Sequence, residues 1–167
     1  MTDGDNDFDH DKDIDPDETV DVGKGSTDKV LTIDESLTVR NKNIHSPMIA
    51  YLNVNSLRNK ISDVRFLLQN LNISILFLSE TKIDDTFPNQ QFIAESYQTP
   101  GDYRKDRNKH GGGLIGYVRN GIPNWKLKEF EPENLEIVCS EVNFNCNKWA
   151  IISVYHSHLY TNIKVFF

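Results

Sequence analysis

Two short strings concentrate the residue types that could do chemistry: Tyr51-Leu52-Asn53-Val54-Asn55-Ser56-Leu57 and Phe77-Leu78-Ser79-Glu80-Thr81-Lys82. Each opens apolar, as a strand does, and ends polar where a strand would stop. That is where α/β sheets present ligand-binding and catalytic groups. An amide (Asn53) and a carboxylate (Glu80) brought to one sheet edge could together hold a metal and a phosphate. Beside them the sequence offers no visible general base and no obvious second metal ligand.

The elements that must position these groups follow from hydrophobic spacing. Met48 to Asn53 reads as a strand. Ser56 is placed to cap a helix in which Leu57, Ile61, Val64, Leu68 and Leu71 fall on one face. Ser74 to Ser79 is a short apolar run, the pattern of a buried strand. Strand, helix and strand in this order predict a right-handed crossover between two neighbouring parallel strands. Both strands then end at the same edge, which makes Asn53 and Glu80 neighbours. Residues 83–112 form a long polar stretch with a basic cluster at Arg104, Lys105, Arg107 and Lys109. Gly111-Gly112-Gly113 leads into a strand from Leu114 to Arg119, and Asn120-Gly121 signals a tight turn. Further strands are expected at about 124–130, 135–142 and 149–155, so the second half should be antiparallel. A phosphate-cradling loop needs its glycines between a strand and a helix, followed by Lys-Ser or Lys-Thr. Here they precede a strand, and they read as backbone that must bend or be closely approached.

Bulk composition narrows the class. The formal charge of −7 is unevenly spread: residues 1–21 hold ten acids against one lysine, while the rest holds seventeen Lys and Arg against fifteen acids. A slightly basic body therefore carries an acidic leader, compatible with a polyanionic partner without demanding one. Residues 1–30 have too few apolar groups to offset ordering entropy and are expected to be a disordered acidic tail. Asp7, Asp9, Asp11, Asp13, Asp15 and Glu18 do fall at calcium-loop spacing, but Lys12 stands where the turn-making glycine belongs and neither flank could form an amphipathic helix. Residues 31–47 are a polar lead-in without a strong pattern, and 48–167 is the globular part. The two cysteines, Cys139 and Cys146, match no metal array and read as reduced thiols without a disulfide partner. No secretory signal and no membrane span is present, so an intracellular protein, cytoplasmic or nuclear, is expected.

Five motifs in this order resemble one family: Leu52-Asn53-Val54-Asn55-Ser56-Leu57, Leu78-Ser79-Glu80-Thr81, Asp106-Arg107 with the glycine triplet, Tyr117-Val118-Arg119, and Val154-Tyr155-His156-Ser157. It is the endonuclease/exonuclease/phosphatase superfamily, in particular the endonuclease domain of non-LTR retrotransposons of the jockey or CR1-like kind. The resemblance runs from about residue 48 to the end. It implies an α/β fold, here part of a four-layer α/β sandwich, and Mg²⁺-dependent (Mn²⁺ is an alternative) phosphodiester cleavage that nicks target DNA to prime reverse transcription. Asn53 matches the asparagine that holds the scissile phosphate, Glu80 the metal-binding glutamate, and Tyr155 the tyrosine facing the phosphate. Arg104, Arg107 and Lys109 would contact DNA phosphates, or form an ordinary solvated loop.

Departures from the pattern matter as much. Relatives place the general base in a Gly-Asp-x-Asn string and a catalytic histidine in a Ser-Asp-His string; neither string occurs here. His10, His45, His110, His156 and His158 all lack that context. The chain is thus expected to match only the first part of the family domain and to be inactive by itself. Two alternatives stay open: a non-catalytic element remnant that binds nucleic acid weakly or not at all, and another phosphoesterase of the same superfamily. Taken singly, Asn53 could merely end a strand, Glu80 could be a solvated carboxylate, and Tyr155 an edge aromatic.

Overall fold

The computed structural model describes residues 32–98 and 100–155. The acidic leader with its calcium-like spacing, and His156 and His158, lie outside the described residues. Within them the chain is mixed α/β, with two helices and two sheets. The helices are α1 (Ile33–Lys42) and α2 (Ile61–Asn70). The strands are β1 (Ile49–Asn53), β2 (Ile75–Ser79), β3 (Arg104–Lys105), β4 (Leu114–Val118), β5 (Asn124–Lys126), β6 (Glu136–Phe144) and β7 (Asn147–Tyr155). One sheet has the order β1-β2-β4-β3 and the other β5-β6-β7. Among the described residues no helix is long and apolar enough to cross a membrane.

The unbroken apolar run of β2 has a direct physical cause: both of its faces are covered. Leu76 and Leu78 join Ile115 and Tyr117 of β4 in a cluster with Val64 and Leu68 of α2. Ile75 and Phe77 join Leu114 and Val118 in a second cluster with Val138 and Val142 of β6. The described residues therefore make three layers: helix, four-stranded sheet, three-stranded sheet. Burying one such aliphatic side chain contributes about 1.5–3 kcal/mol, so β2 and β4 anchor the whole arrangement. On the outer face of β5-β6-β7, Trp125 and Ile152 are exposed.

Several boundaries differ from the sequence reading. β1 and β2 are parallel with Asn53 opposite Ser79, as the crossover predicts. The helix between them starts at Ile61 rather than after Ser56, and its N-cap Lys60 makes no side-chain cap bond. The reason is that the backbone after β1 keeps pairing with the backbone after β2. Val54, Ser56 and Leu57 donate their N–H groups to Ser79, Glu80 and Thr81 oxygens at 3.0, 2.7 and 2.9 Å. Ser56 itself sits at φ +87°, far from the extended backbone of an N-cap residue. In the lead-in, α1 is held by a capping box: Glu35 N–H donates to Thr32 Oγ1, and the Thr32 N–H to Glu35 Oε2. The expected strand 124–130 stops at Lys126 and gives way to a 3₁₀ turn, Lys128–Phe130. The polar stretch 83–112 contains two more 3₁₀ turns and the two-residue strand β3.

Candidate active site

Asn53 ends β1, Glu80 follows the last residue of β2, and Tyr155 ends β7. The first two meet because their strands are parallel neighbours in register. The third arrives from the other sheet, 75 positions away, and its phenol donates to Glu80 Oε1 at 3.0 Å. Asn53 also hydrogen-bonds the Glu80 carboxylate, and its own Oδ1 accepts the Asn55 N–H at 3.0 Å. All three residues singled out in the sequence thus stand around one carboxylate.

The backbone that carries Glu80 is unusual. Glu80 and Lys82 both lie at φ +52°, with Thr81 between them. Non-glycine residues in that region cost about 1–2 kcal/mol each and persist only where neighbouring structure over-determines them. Here the glycine triplet supplies the constraint. Thr81 N–H and Lys82 N–H donate to Gly113 and Gly112 oxygens at 3.4 and 3.0 Å. Gly112 and Gly113 lie at φ +73° and +89°. A Cβ on Gly113 would sit 2.3 Å from Thr81 Oγ1, and one on Gly112 2.6 Å from the Glu136 carboxylate. The triplet is closely approached backbone, as its position before a strand implied.

Charge is arranged to keep the cluster in one protonation state. The Tyr155 hydrogen bond is the main cause that lowers the Glu80 carboxyl below its ordinary value; partial burial opposes it, and Asn53 and Lys82 add to the lowering. Burial, followed by the hydrogen bond to Glu80 and the Glu80 charge, raises the Tyr155 phenol. Glu80 is therefore an anion that accepts, and Tyr155 a neutral donor.

Three residues that sequence reasoning left without a role belong to the same cluster. Lys82 Nζ lies 2.5 Å from Asn55 Oδ1 and 3.7 Å from Glu80 Oε2. Glu136 faces Tyr155 across β6 and β7, accepts the Gly113 N–H at 2.6 Å, and pairs with Arg107 at 3.4 Å. Lys82 stood within the quoted string after β2; nothing local marks Asn55 as its partner or Glu136 as part of a site.

The basic loop divides. Arg104, expected among DNA contacts, is taken up entirely by the fold. Its Nε and one terminal nitrogen bind the Asp106 carboxylate at 2.7 and 2.6 Å, and the remaining N–H groups reach Phe87 O, Asn89 Oδ1 and Asp84 O. All five donors of the guanidinium are used, which leaves none for a phosphate. Arg107 and Lys109 are exposed. A cleft of about 310 Å³ opens beside Arg104 and Asp106, and Glu80 does not line it.

The donor set bears on which metal could bind. Among the described residues no group of three or more His, Cys, Asp or Glu converges. A hard dication that keeps most of its waters and takes one carboxylate plus a substrate phosphate is a different case. Glu80 suits it: its carboxylate is held ionised, and it already faces a cationic nitrogen, that of Lys82. The chain matches no known family model and no curated protein.

Proposed function

We propose that this cluster is the metal- and phosphodiester-binding part of a Mg²⁺-dependent DNA endonuclease site of the non-LTR retrotransposon kind, within the endonuclease/exonuclease/phosphatase type of sandwich. One observation carries the reading: Asn53, Glu80 and Tyr155, from three strands of two sheets, meet at a single ionised carboxylate. That convergence has no need in a purely structural strand end.

The chemistry gives each group a task. A phosphodiester carries a negative charge that repels hydroxide, and in-line attack adds charge to its oxygens. Mg²⁺ or Mn²⁺ held by Glu80 would neutralise part of that charge and support the leaving oxygen. Asn53 and Tyr155 orient the Glu80 carboxylate, the phenol giving its one O–H to Oε1. The second N–H of the Asn53 amide is the donor left for a phosphate oxygen, worth about 2–4 kcal/mol where charge develops. Arg107, exposed beside the glycine turn, adds a cation for the DNA backbone. No described residue takes the part of the base or histidine named by the resemblance, so binding, more than turnover, is the direct test.

Mn²⁺ titrated into ¹⁵N-labelled protein should broaden the amides around Glu80 first, and Glu80→Gln should abolish that selectivity. Broadening elsewhere, or none at millimolar Mn²⁺, would refute the reading. Adding a short DNA duplex should strengthen the effect. If metal binds but DNA adds nothing while an inositol phosphate does, the rival phosphoesterase reading takes its place.

A further inference from the structure

Lys82 is placed where a spectator would not be. It sits two residues after Glu80, on backbone held at φ +52° by the Gly112 carbonyl. Its ammonium lies between two oxygens from different strand ends, Asn55 Oδ1 at 2.5 Å and Glu80 Oε2 at 3.7 Å. The other Glu80 oxygen, Oε1, accepts from Tyr155. The carboxylate therefore presents Oε2 as the side on which a cation can approach, and Lys82 is the cation there. Its side chain is about a quarter exposed, so the head group can leave without breaking the core.

We propose that Lys82 is the built-in counter-cation of Glu80: it neutralises the carboxylate in the free site, and metal binding displaces it onto a phosphate oxygen of the incoming nucleic acid. The inference rests on the metal-binding reading of Glu80. A dication and an ammonium repel each other, and both cannot hold Oε2 closely. Once displaced, the lysine stays tethered by its backbone and by Asn55, at the edge where the phosphate must enter. It thus acts as a positioning residue, lowering affinity for metal alone and favouring metal and nucleic acid together. Coupling of this kind would keep the site from holding a metal unproductively.

The test uses the 167-residue chain with two variants. Lys82→Gln keeps a donor for Asn55 and removes the charge; Lys82→Arg keeps the charge. Without DNA, the Gln variant should bind Mn²⁺ about three- to tenfold more tightly, as expected for removing one nearby positive charge in screened solvent. With metal and a short duplex, it should bind DNA more weakly, and the slope of log affinity against log salt should fall by about one. The Arg variant should match the native chain in both assays. Unchanged or weaker Mn²⁺ binding by Lys82→Gln, or an unchanged salt slope, overturns the role of Lys82. Glu80→Gln separates the two claims: if it leaves Mn²⁺ binding intact, the metal site itself falls, and the inference falls with it. If it abolishes binding while Lys82→Gln changes nothing, only the inference falls.

Discussion

Replacing glycines one at a time separates backbone strain from steric overlap in the turn that locks Glu80. Gly111, Gly113 and Gly121 form a natural series. Gly111 has open space around its would-be Cβ and no positive φ; Gly121 has open space but φ +85°; Gly113 has φ +89° and a would-be Cβ 2.3 Å from Thr81 Oγ1. Gly111→Ala should change stability by less than about 1 kcal/mol, with a slight gain from a less flexible unfolded chain. Gly121→Ala should cost about 1–2 kcal/mol, the strain of a left-handed alanine. Gly113→Ala carries the same strain plus overpacking against a fully buried side chain, about 2–5 kcal/mol together. Thr81 Oγ1 is buried without a hydrogen-bond partner, so it is a removable obstacle. Thr81→Ala leaves the threonine Cβ position 3.7 Å from the new methyl, an ordinary contact. The double variant should therefore recover about 1–2 kcal/mol relative to the sum of the single changes. Urea denaturation of the native chain and the five variants gives every number. If Gly113→Ala costs no more than Gly121→Ala, or if Thr81→Ala brings no recovery, then the glycine turn does not grip the Glu80 segment as described.

Three further outcomes are expected. Arg104→Met should destabilise the chain by about 1–3 kcal/mol in urea, because it strands the part-buried partners of five N–H donors; a loss under about 0.5 kcal/mol would mean that the network is dispensable. The lowered Glu80 carboxyl contributes stability that is present above its ordinary value of 4.5 and disappears as pH falls through the folded value. Melting temperature against pH should accordingly show a shallower acid limb in Glu80→Gln, and superimposable limbs would contradict the assignment. Tyr155→Phe removes the leading cause of that lowering, so the Glu80 ¹³C-carboxyl titration should move up towards 4.5; an unmoved midpoint would show that the phenol does not govern the carboxylate.

Much of the first half was legible before folding was considered. The apolar run before Glu80 marked a strand buried on both faces, and the spacing of Val64 and Leu68 marked the helix that covers one of them. The polar residues at the ends of β1 and β2 did become neighbours, because a parallel crossover leaves them no other place. Helix α1 was also written locally, as Thr-x-x-Glu, but its lack of buried residues hides it from a search for hydrophobic periodicity. The start of α2 went astray for the opposite reason. Ser56 is a good capping residue, yet backbone hydrogen bonds from Ser56 and Leu57 to Glu80 and Thr81 hold its segment out of the helix. Local propensity is worth tenths of a kcal/mol and yields to such pairing.

By itself the sequence determined the strand-helix-strand order of β1, α2 and β2, that β2 is a buried strand, and which strand ends carry the amide and the carboxylate. These depend on residue spacing over a few positions, where backbone geometry leaves little choice. Only the tertiary structure decided that Tyr155 would bond Glu80, that Glu136 would brace the glycine turn, and that Arg104 would be consumed by Asp84, Phe87, Asn89 and Asp106. Those contacts join residues far apart in the chain through the packing of one sheet on another. That packing is set by the summed burial of both faces, which no short stretch of sequence contains.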